Sequence, residues 1–378
     1  MKESLYEDFT LLVDGKNAFP AIISEIEKAE KSLEINMFIW RDDEIGNRLA
    51  ECVLRAADRG VDVFWSVDRY GSIFEHAEES KKSFFHKSTS LTEKIKIKSL
   101  QFFYPENRPK TLICDEESEL YRKILSHPRI KLDDNRMKAD HSKYYIIDEK
   151  ILICGGINVE DKENGIDQMR REYQDYMVKM NGEEYVRAFK AKWEKGVDVD
   201  NNYFFGVNSK ISKPYNFEME EKYLSMIDES EKELTIVMAY FSPLKKFMRA
   251  IIKATKRGVD VRIMIPERAN VQTDTNRKTV KYLMNKCGDK LRVYYTPKMA
   301  HTKLIYTEKW MTFGSTNITT KAFCQLAELN VFVRNIPSKF TDELRNSVEE
   351  NFALAKQIRS IKEIKYNLIK VFIESFLA

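Results

Sequence analysis

The two halves of this chain carry the same sequence words in the same order, and this duplication restricts the fold more than any other feature does. "AEKSLEINMFIW" is matched by "SEKELTIVMAYF", "RAADRGVDVFWSVD" by "KATKRGVDVRIMIP", and "HSKYYIID" by "HTKLIYTE". The two Arg-Gly-Val-Asp-Val words lie 198 residues apart but the two histidines lie 160 apart, so the first half carries 38 additional residues between them. The chain of 378 residues therefore predicts two similar units, one of which contains an insertion.

Each half has the pattern of strands that alternate with helices. Helices are predicted over residues 20–31, 44–59, 219–232 and 244–257. Gly60 and Gly258 follow the second helix of each half, in the position where a left-handed C-cap favours glycine. The apolar runs between helices, such as "VRIMI" and "YYII", suit strands that are buried on both faces. The expected class is α/β, with a mainly parallel sheet flanked by helices in each half.

The predicted division separates an N-terminal half, residues 1–205, from a C-terminal half, residues 206–378. The insertion falls at about residues 83–129 of the first half and contains "IKIKSLQFFYP". Its alternation of apolar and polar residues predicts an irregular strand or a hairpin. The insertion is interpreted either as a flap that covers the body or as an apolar lip beside the functional site.

The tail, "IRSIKEIKYNLIKVFIESFLA", predicts an amphipathic C-terminal helix. Its apolar residues recur at helical spacing, and Lys362, Lys365 and Lys370 lie on the flanks. Two interpretations remain open: the apolar face packs against the body of the protein, or it rests on a surface of anionic lipid.

The composition excludes several classes of protein. The 63 basic and 59 acidic residues leave a net charge of only +4, which does not by itself indicate nucleic-acid binding. Five scattered cysteines indicate neither a disulfide framework nor a zinc site. No apolar run approaches the length of a membrane span, and the N-terminus lacks the apolar core of a secretion signal. The expected location is the cytoplasm.

The repeated histidine words carry the chemically informative side chains. His141 and Lys143 lie two residues apart on a predicted strand, so their side chains project from the same face. His301 and Lys303 repeat this arrangement in the second half. If the halves pack about a pseudo-twofold axis, both pairs converge on one cleft between them. The residues that follow each pair also match, as Asp148 with Glu308, Gly155 and Gly156 with Gly314 and Ser315, and Asn158 with Asn317.

Two histidines, two lysines and two asparagines in one cleft suit a tetrahedral anion such as a phosphate. The lysines supply positive charge, while the amides of Asn158 and Asn317 and the hydroxyl of Ser315 supply donors that stabilise a five-coordinate phosphorus. One histidine can attack phosphorus while the other protonates the departing oxygen, and the unperturbed pKa of histidine near neutrality suits both tasks. Because the lysines neutralise the phosphate, neither a metal ion nor a cofactor is expected.

These motifs resemble the duplicated HKD motif of the phospholipase D superfamily, and the chain is most similar to the bacterial cardiolipin synthases. The similarity extends over nearly the whole chain and includes "FIWRDDEIGNRL", "RGVDVFWSVDRYGS", "MAYFSP" and "GSTNIT". The resemblance implies that His141 forms a phosphohistidine intermediate and that His301 is the general acid. It assigns the binding of the phosphate to Lys143, Lys303, Asn158 and Asn317.

The resemblance also implies supporting roles for four acidic residues. Asp175 and Glu328 occupy positions from which an acid orients the motif histidines, and such a carboxylate sets the tautomer of the ring and raises its basicity. Asp148 and Glu308 are the motif acids, which support the structure and do not touch phosphorus. The chain departs from the family pattern at Glu308, where aspartate is usual.

The reaction that the resemblance implies is phosphatidyl transfer, from a phospholipid to His141 and then to phosphatidylglycerol or a related alcohol. The alternative is a nuclease or other phosphodiesterase, with water as the acceptor; a non-catalytic binding protein is the third class. A cleft lined with lysine and arginine favours nucleic acid, whereas an apolar trough favours lipid. A phospholipid substrate implies peripheral contact with an anionic membrane surface, and a monomer suffices because both halves lie in one chain.

Overall fold

The structure is a computed structural model that describes residues 6–79, 84–85, 90–103, 118–134, 137–165, 171–198, 202–210 and 215–375. The elements of the first half are β1 Phe9–Val13, α1 Asp14–Lys28, β2 Ser32–Met37, α2 Glu44–Asp58, β3 Asp62–Val67, α3 Gly71–Glu79, α4 Leu91–Phe103, α5 Glu119–Ser126, β4 Ile130–Asp133, β5 Tyr144–Ile147, β6 Ile151–Gly155, α6 Asp161–Asn164, β7 Tyr173–Gln174, β8 Tyr176–Asn181 and α7 Glu183–Lys195.

The elements of the second half are β9 Tyr203–Ser209, β10 Asn216–Phe217, α8 Met219–Glu229, β11 Glu233–Met238, β12 Phe241–Ser242, α9 Lys245–Arg257, β13 Asp260–Pro266, α10 Thr273–Cys287, β14 Leu291–Thr296, β15 Met299–Ala300, β16 Lys303–Thr307, β17 Trp310–Gly314, β18 Ile318–Thr319, α11 Thr320–Cys324, β19 Glu328–Arg334, α12 Lys339–Leu354, β20 Lys356–Ile358 and α13 Leu368–Glu374. Short 3₁₀ helices cover Gly288–Lys290 and Ile361–Glu363.

One main sheet forms the centre of each half. The first sheet has the order β1-β8-β6-β5-β2-β3-β4. The second has the order β10-β9-β19-β17-β16-β11-β13-β14-β20, in which the seven inner strands repeat the order of the first. The α/β class and the two similar halves are therefore confirmed.

The strands of each sheet run in mixed directions. β2, β3 and β4 are parallel to one another, as are β11, β13 and β14, and helices cross over between them. The expectation of a mainly parallel sheet holds only for these strands. β5 and β16, which follow the histidine words, pair antiparallel with both of their neighbours. Tight turns connect β5 to β6 and β16 to β17, and a tight turn can join only antiparallel strands.

The glycines after the second helix of each half have the backbone conformation that the sequence predicts. Gly60 has a φ of 105° and Gly258 a φ of 93°. Nothing lies within 4 Å of a Cβ built at either position, so backbone conformation and not crowding favours glycine there.

A cluster of buried apolar side chains lies between the two sheets and is shared by both halves. In the repeat, β6 corresponds to β17 and its neighbour β8 corresponds to β19. Across the boundary β6 contacts β19, and β8 contacts β17. Such reciprocal contacts are expected of two similar halves that pack about a pseudo-twofold axis. α7 and α12 each contact strands of both sheets. Two further clusters lie on the outer faces, under α1 and α2 in the first half and under α8, α9 and α10 in the second.

The boundary between the halves lies earlier than predicted. β9 pairs with β19 from Tyr203 to Asn208 and so belongs to the second sheet. The predicted division at residues 205/206 therefore falls inside β9. Pairing partners define a sheet, and the partner of β9 lies more than a hundred residues away, out of reach of local patterns.

The predicted strand or hairpin of the insertion is instead a helix, α4, which contains "IKIKSLQFF". Its buried residues are Glu93, Ile97 and Leu100, at spacings of four and three, whereas Ile95 is exposed. The alternation of isoleucine and lysine resembles a strand, but the residues that are buried have the spacing of one face of a helix. The following tyrosine and proline lie outside the described residues.

The predicted amphipathic C-terminal helix is divided into three short pieces. Ile358 ends β20, which pairs with the edge of β14, a 3₁₀ helix follows at Ile361–Glu363, and within the described part of the tail the α-helix is confined to α13. α13 packs against the start of α10, because the Glu374 carboxylate accepts the backbone N–H groups of Asp274 and Thr275 at 3.3 and 2.6 Å. Phe376 lies outside the described residues. Across the described ranges, no helix is long and apolar enough to cross a bilayer.

The motif acids Asp148 and Glu308 hold the same turn in both halves. The Asp148 carboxylate accepts three backbone N–H groups between α1 and β2, at 2.7 to 3.0 Å. Glu308 accepts three between α8 and β11, at 2.9 to 3.2 Å. Partial burial acts to raise both pKa values, but the backbone N–H groups outweigh it and lower them. The extra methylene of Glu308 is accommodated without loss of these bonds.

We expect Asp148→Ala and Glu308→Ala each to lower the free energy of unfolding by about 1–2 kcal/mol. Three backbone donors lose their charged acceptor in each variant, and solvent at the turn limits the loss. Urea denaturation measures the effect. Glu343→Ala is the matched control, because this carboxylate makes only a loose surface ion pair of 3.9 Å. Equal stability of all three variants would show that water replaces the carboxylates fully.

Candidate active site

The two repeated histidines line one cavity at the boundary between the halves. His141 precedes β5 and His301 precedes β16, so equivalent positions of the two sheets contribute the two rings. Both side chains are buried, with 8% and 5% exposure. The sequence prediction that the two words converge on one site is therefore matched by the geometry.

Backbone bonds between the halves hold both histidine segments in place. The His141 N–H donates to the carbonyl of Ala327 at 2.8 Å, and the Ala327 N–H donates to the carbonyl of Ala139 at 2.8 Å. In the reciprocal position, β15 pairs with β7, immediately before His301. Each histidine is thus held against the residues that directly precede an acid of the opposite half, Glu328 for His141 and Asp175 for His301.

The orienting acids are exchanged between the halves. Nδ1 of His141 lies 3.1 Å from Oε2 of Glu328, and Nδ1 of His301 lies 3.0 Å from Oδ2 of Asp175. Both acids were predicted from the sequence, but the sequence did not indicate which histidine each one serves.

The tautomer of His141 follows from a second contact. Nδ1 also lies 3.0 Å from the carbonyl oxygen of Ser315. Because a carbonyl can only accept, Nδ1 carries the proton, and the lone pair of a neutral ring is on Nε2. Glu328 lies on the same side of the ring and leaves Nε2 as the nitrogen available to the cavity.

The electrostatics around His141 favour a neutral ring. Burial lowers the pKa of His141 well below its usual value, and the charges of Lys143, Lys303 and His301 lower it further. Burial also raises the pKa of Glu328 to about 8, against the opposing effects of the Ser315 hydroxyl and the two lysines. A neutral imidazole has the free electron pair that a nucleophile needs.

The two motif lysines are fully buried behind the histidines and are not among the residues that line the cavity. The ammonium of each donates to the backbone carbonyl of its own motif histidine, and Lys303 also contacts Asp175 at 3.1 Å. Burial, and then the charge of Lys303, lower the pKa of Lys143 to about 7. An anion bound beside these lysines stabilises their charged form.

The two motif asparagines line the cavity, as the sequence predicts. The Asn158 amide donates to Glu160 at 3.4 Å. Asn317 accepts the backbone N–H of Tyr240 at 3.2 Å through its oxygen, which directs its NH₂ group away from that bond.

Ser315 requires a correction, because the structure places it away from the cavity lining. Its hydroxyl donates to Glu328 and accepts the N–H of Leu329 at 2.9 Å. In this structure the Ser315 hydroxyl therefore supports the orienting acid and does not line the cavity. In the first half Gly156 takes its place, since a Cβ there would lie 2.3 Å from Oδ2 of Asp175.

The cavity exposes more apolar than polar surface, and Glu78 and Glu160 are among its polar residues. Its apolar walls include Phe38, Tyr70, Phe74, Tyr173, Tyr240 and Leu326. Tyr70 comes from the short loop between β3 and α3. Two lysines also line the cavity in the part of the chain that the structure describes, and both have partners: Lys162 lies 2.9 Å from Glu78, and Lys321 donates to Tyr70 at 2.6 Å. The lining matches the apolar trough expected for lipid.

Glu163 is a site residue that the sequence reasoning missed. Its Oε1 lies 3.2 Å from Nδ1 of His301, so this ring has two carboxylate neighbours. The side chain is buried, with 3% exposure. The equivalent residue in the second half is Ala322, so the acid is present in one half of the repeat and absent from the other. This difference between the halves is the sequence feature that could have indicated Glu163.

Asp68 has a supporting role that the sequence did not indicate. Its carboxylate accepts the backbone N–H groups of Asp140 and Lys138, at 2.6 and 3.1 Å, and so holds the segment that leads to His141. Burial raises the pKa of Asp68 to about 6, against the effect of these bonds.

A family model described as "Cardiolipin synthase, PLD-like domain" matches residues 22–196 and 223–352. Cardiolipin synthase B of Salmonella typhi is 25% identical over 90% of this chain and 79% of its own length. A cardiolipin synthase of Clostridium perfringens is 24% identical over 98% of this chain and 72% of its own length. Among solved structures, a phosphatidylserine synthase of Haemophilus influenzae has the same fold, with a TM-score of 0.71, 12% identity and coverage of 99% and 93%.

Proposed function

This chain belongs to the cardiolipin synthase family of phospholipase D-like proteins, and on that premise we propose that it transfers a phosphatidyl group to a phosphatidylglycerol-type alcohol. As a member it is a phosphatidyltransferase of the phospholipase D superfamily. The observation that carries the proposal is the pair of imidazoles that line one apolar cavity, each backed by a carboxylate of the opposite half.

In the first step, Nε2 of His141 attacks the phosphorus of the donor phospholipid. A P–N bond forms as the bond from phosphorus to the leaving alcohol oxygen breaks, and protonated His301 gives its Nε2 proton to that oxygen. Lys143, Lys303, Asn158 and Asn317 stabilise the charge on the phosphoryl oxygens. The products are phosphatidyl-His141 and the free alcohol, which is glycerol when the donor is phosphatidylglycerol.

In the second step, His301 is neutral and removes the proton of the acceptor hydroxyl. The acceptor oxygen bonds to phosphorus, the P–N bond breaks, and the electron pair returns to Nε2 of His141. With phosphatidylglycerol as the acceptor, the product is cardiolipin. His301 is protonated again, so the enzyme regains its starting state.

The lining of the cavity supports lipid as the substrate over nucleic acid. Its walls expose more apolar than polar surface, and its two described lysines already have polar partners. A nuclease groove needs basic side chains that follow a phosphate backbone. We further propose that the enzyme works at the cytoplasmic surface of a membrane, where phospholipid substrates lie. One chain is sufficient for the site, because residues of both halves of the same chain line the cavity.

The test incubates the purified chain with phosphatidylglycerol vesicles and, separately, with single-stranded DNA. We expect cardiolipin and glycerol from the vesicles, intact DNA, and no product from His141→Ala. Cleaved DNA beside untouched lipid would overturn the proposed function. Release of phosphatidic acid without cardiolipin would show that water is the acceptor and would overturn the transferase reaction.

Glu163 is expected to position His301 for both proton transfers. We predict that Glu163→Gln lowers kcat for cardiolipin formation about tenfold and leaves KM nearly unchanged, because the side chain contacts His301 and not the substrate. Steady-state kinetics at several vesicle concentrations measure the split. Glu172→Gln is the control, because Glu172 is an exposed acid of the same region. A rise in KM of about tenfold, with kcat unchanged, would contradict this role.

A further inference from the structure

We propose that the exposed faces of α4 and α13 together form a docking surface for an anionic membrane beside the rim of the active-site cavity. The inference rests on the proposed function, which requires substrates that lie in a bilayer. It concerns a different part of the molecule, since none of the residues of this surface lines the cavity.

Both helices adjoin the same short segment of the cavity rim. Ile97 and Leu100 of α4 pack in one cluster with Val271, and Val271 lines the cavity. α13 adjoins the next residues of the chain, because Glu374 accepts the N–H groups of Asp274 and Thr275. The two helices therefore border residues 271–275.

The faces turned away from these contacts are unusually apolar. On α4, Leu91, Ile95 and Phe102 are exposed to between 59% and 78%. On α13, Leu368, Ile369 and Phe372 are exposed to between 65% and 71%. Large apolar side chains grouped on a surface mark sites of protein or membrane contact.

Charge selects the membrane as the partner. Lys94, Lys96 and Lys98 on α4, and Lys362, Lys365 and Lys370 on α13 and the turn before it, are all exposed. The acids of both helices point inward: Glu93 is buried against Arg69 at 3.2 Å, and Glu374 is buried against α10. Glu363, in the turn before α13, is exposed and pairs with Lys356 at 3.1 Å, so lysines remain in excess on this surface. Exposed lysines among apolar side chains are the pattern of helices that lie in the interface of an anionic membrane.

The same charges disfavour a second copy of the chain as the occupant. Two such surfaces brought together would place lysines against lysines, and like charges at an interface are unfavourable. Anionic phospholipid complements both the exposed lysines and the exposed apolar side chains. Its headgroups attract the lysines, and its acyl region accepts the apolar side chains.

The test uses two double variants. One combines Leu91→Asp and Ile95→Asp on α4, and the other combines Leu368→Asp and Ile369→Asp on α13. Co-sedimentation with vesicles of phosphatidylglycerol and phosphatidylcholine measures binding. We expect each double variant to lose at least about tenfold in vesicle binding and in activity on vesicles. Activity on short-chain phosphatidylglycerol dissolved as monomers should stay unchanged, which also shows that the variants fold.

Leu354→Asp is the matched control, because Leu354 is equally exposed at the end of α12, with 61% exposure. Unchanged vesicle binding in either double variant would overturn the two-helix surface. A shift from dimer to monomer on size-exclusion chromatography would identify self-association instead and overturn it as well. If the unaltered chain transfers no phosphatidyl group on either vesicles or monomeric lipid, the proposed function is wrong. The docking surface is then still tested by vesicle binding, which is measured separately.

Discussion

His141→Ala is expected to lower phosphatidyl transfer by at least about 10³-fold, because the variant has no nucleophile that can take the place of Nε2. His301→Ala should be similarly impaired on natural phospholipid, where the leaving glycerol oxygen needs a proton. The two variants should differ on a donor with a nitrophenol leaving group, which departs without protonation.

With that activated donor, His301→Ala should accumulate a phosphatidyl adduct on His141, whereas His141→Ala should form none. Rapid quenching at alkaline pH, followed by peptide mass spectrometry, locates the acid-labile phosphohistidine. His127→Ala is the control, since His127 is not among the residues that line the cavity; its ring lies 3.4 Å from Asp58 and accepts the backbone N–H of Arg129 at 3.2 Å. An adduct on His301 would reverse the assigned roles.

The exchanged acids provide the second large effect. Glu328→Gln and Asp175→Asn should each lower transfer on natural phospholipid by about 10²-fold. Asp175→Asn removes the carboxylate that stabilises cationic His301, and Glu328→Gln alters the acid that orients neutral His141 through Nδ1. The loss at Glu328 is limited because the Ser315 carbonyl still holds Nδ1–H of His141.

The activated donor tests whether each histidine is paired with the acid of the opposite half or with the acid of its own half. Asp175 contacts His301, so Asp175→Asn should recover most of the rate of adduct formation when no proton is needed. Glu328 contacts His141, so Glu328→Gln should remain slow in the same step. The opposite pattern would contradict the pairing of each histidine with the acid of the other half. Thermal melting of both variants excludes loss of the fold as the cause.

The success of the sequence at the site follows from the local nature of its signals. His141 and Lys143, like His301 and Lys303, are paired by strand periodicity, and the repeat relates one pair to the other. Asn158 and Asn317 were found by the same repeat and line the cavity. Ser315 was assigned to the phosphate by chemical type alone, and only its bond to Glu328 shows that it supports the acid.

The failures share one physical cause, which is competition by distant contacts. "IKIKSLQFF" alternates like a strand, yet Ile97 and Leu100 are buried against α3 and the segment is a helix. The tail has helical periodicity, yet its first residue, Ile358, belongs to a strand that pairs with the edge of β14. In both segments the tertiary partner outweighed a weak local preference.

The sequence by itself determined that this protein has two similar α/β halves and a pair of His-x-Lys motifs, because duplication and strand periodicity are properties of neighbouring residues. The tertiary structure alone decided which acid serves which histidine, and it added Glu163 to His301. These contacts join residues more than a hundred positions apart, and they form only when the two sheets pack face to face and bring opposite halves within 3.2 Å.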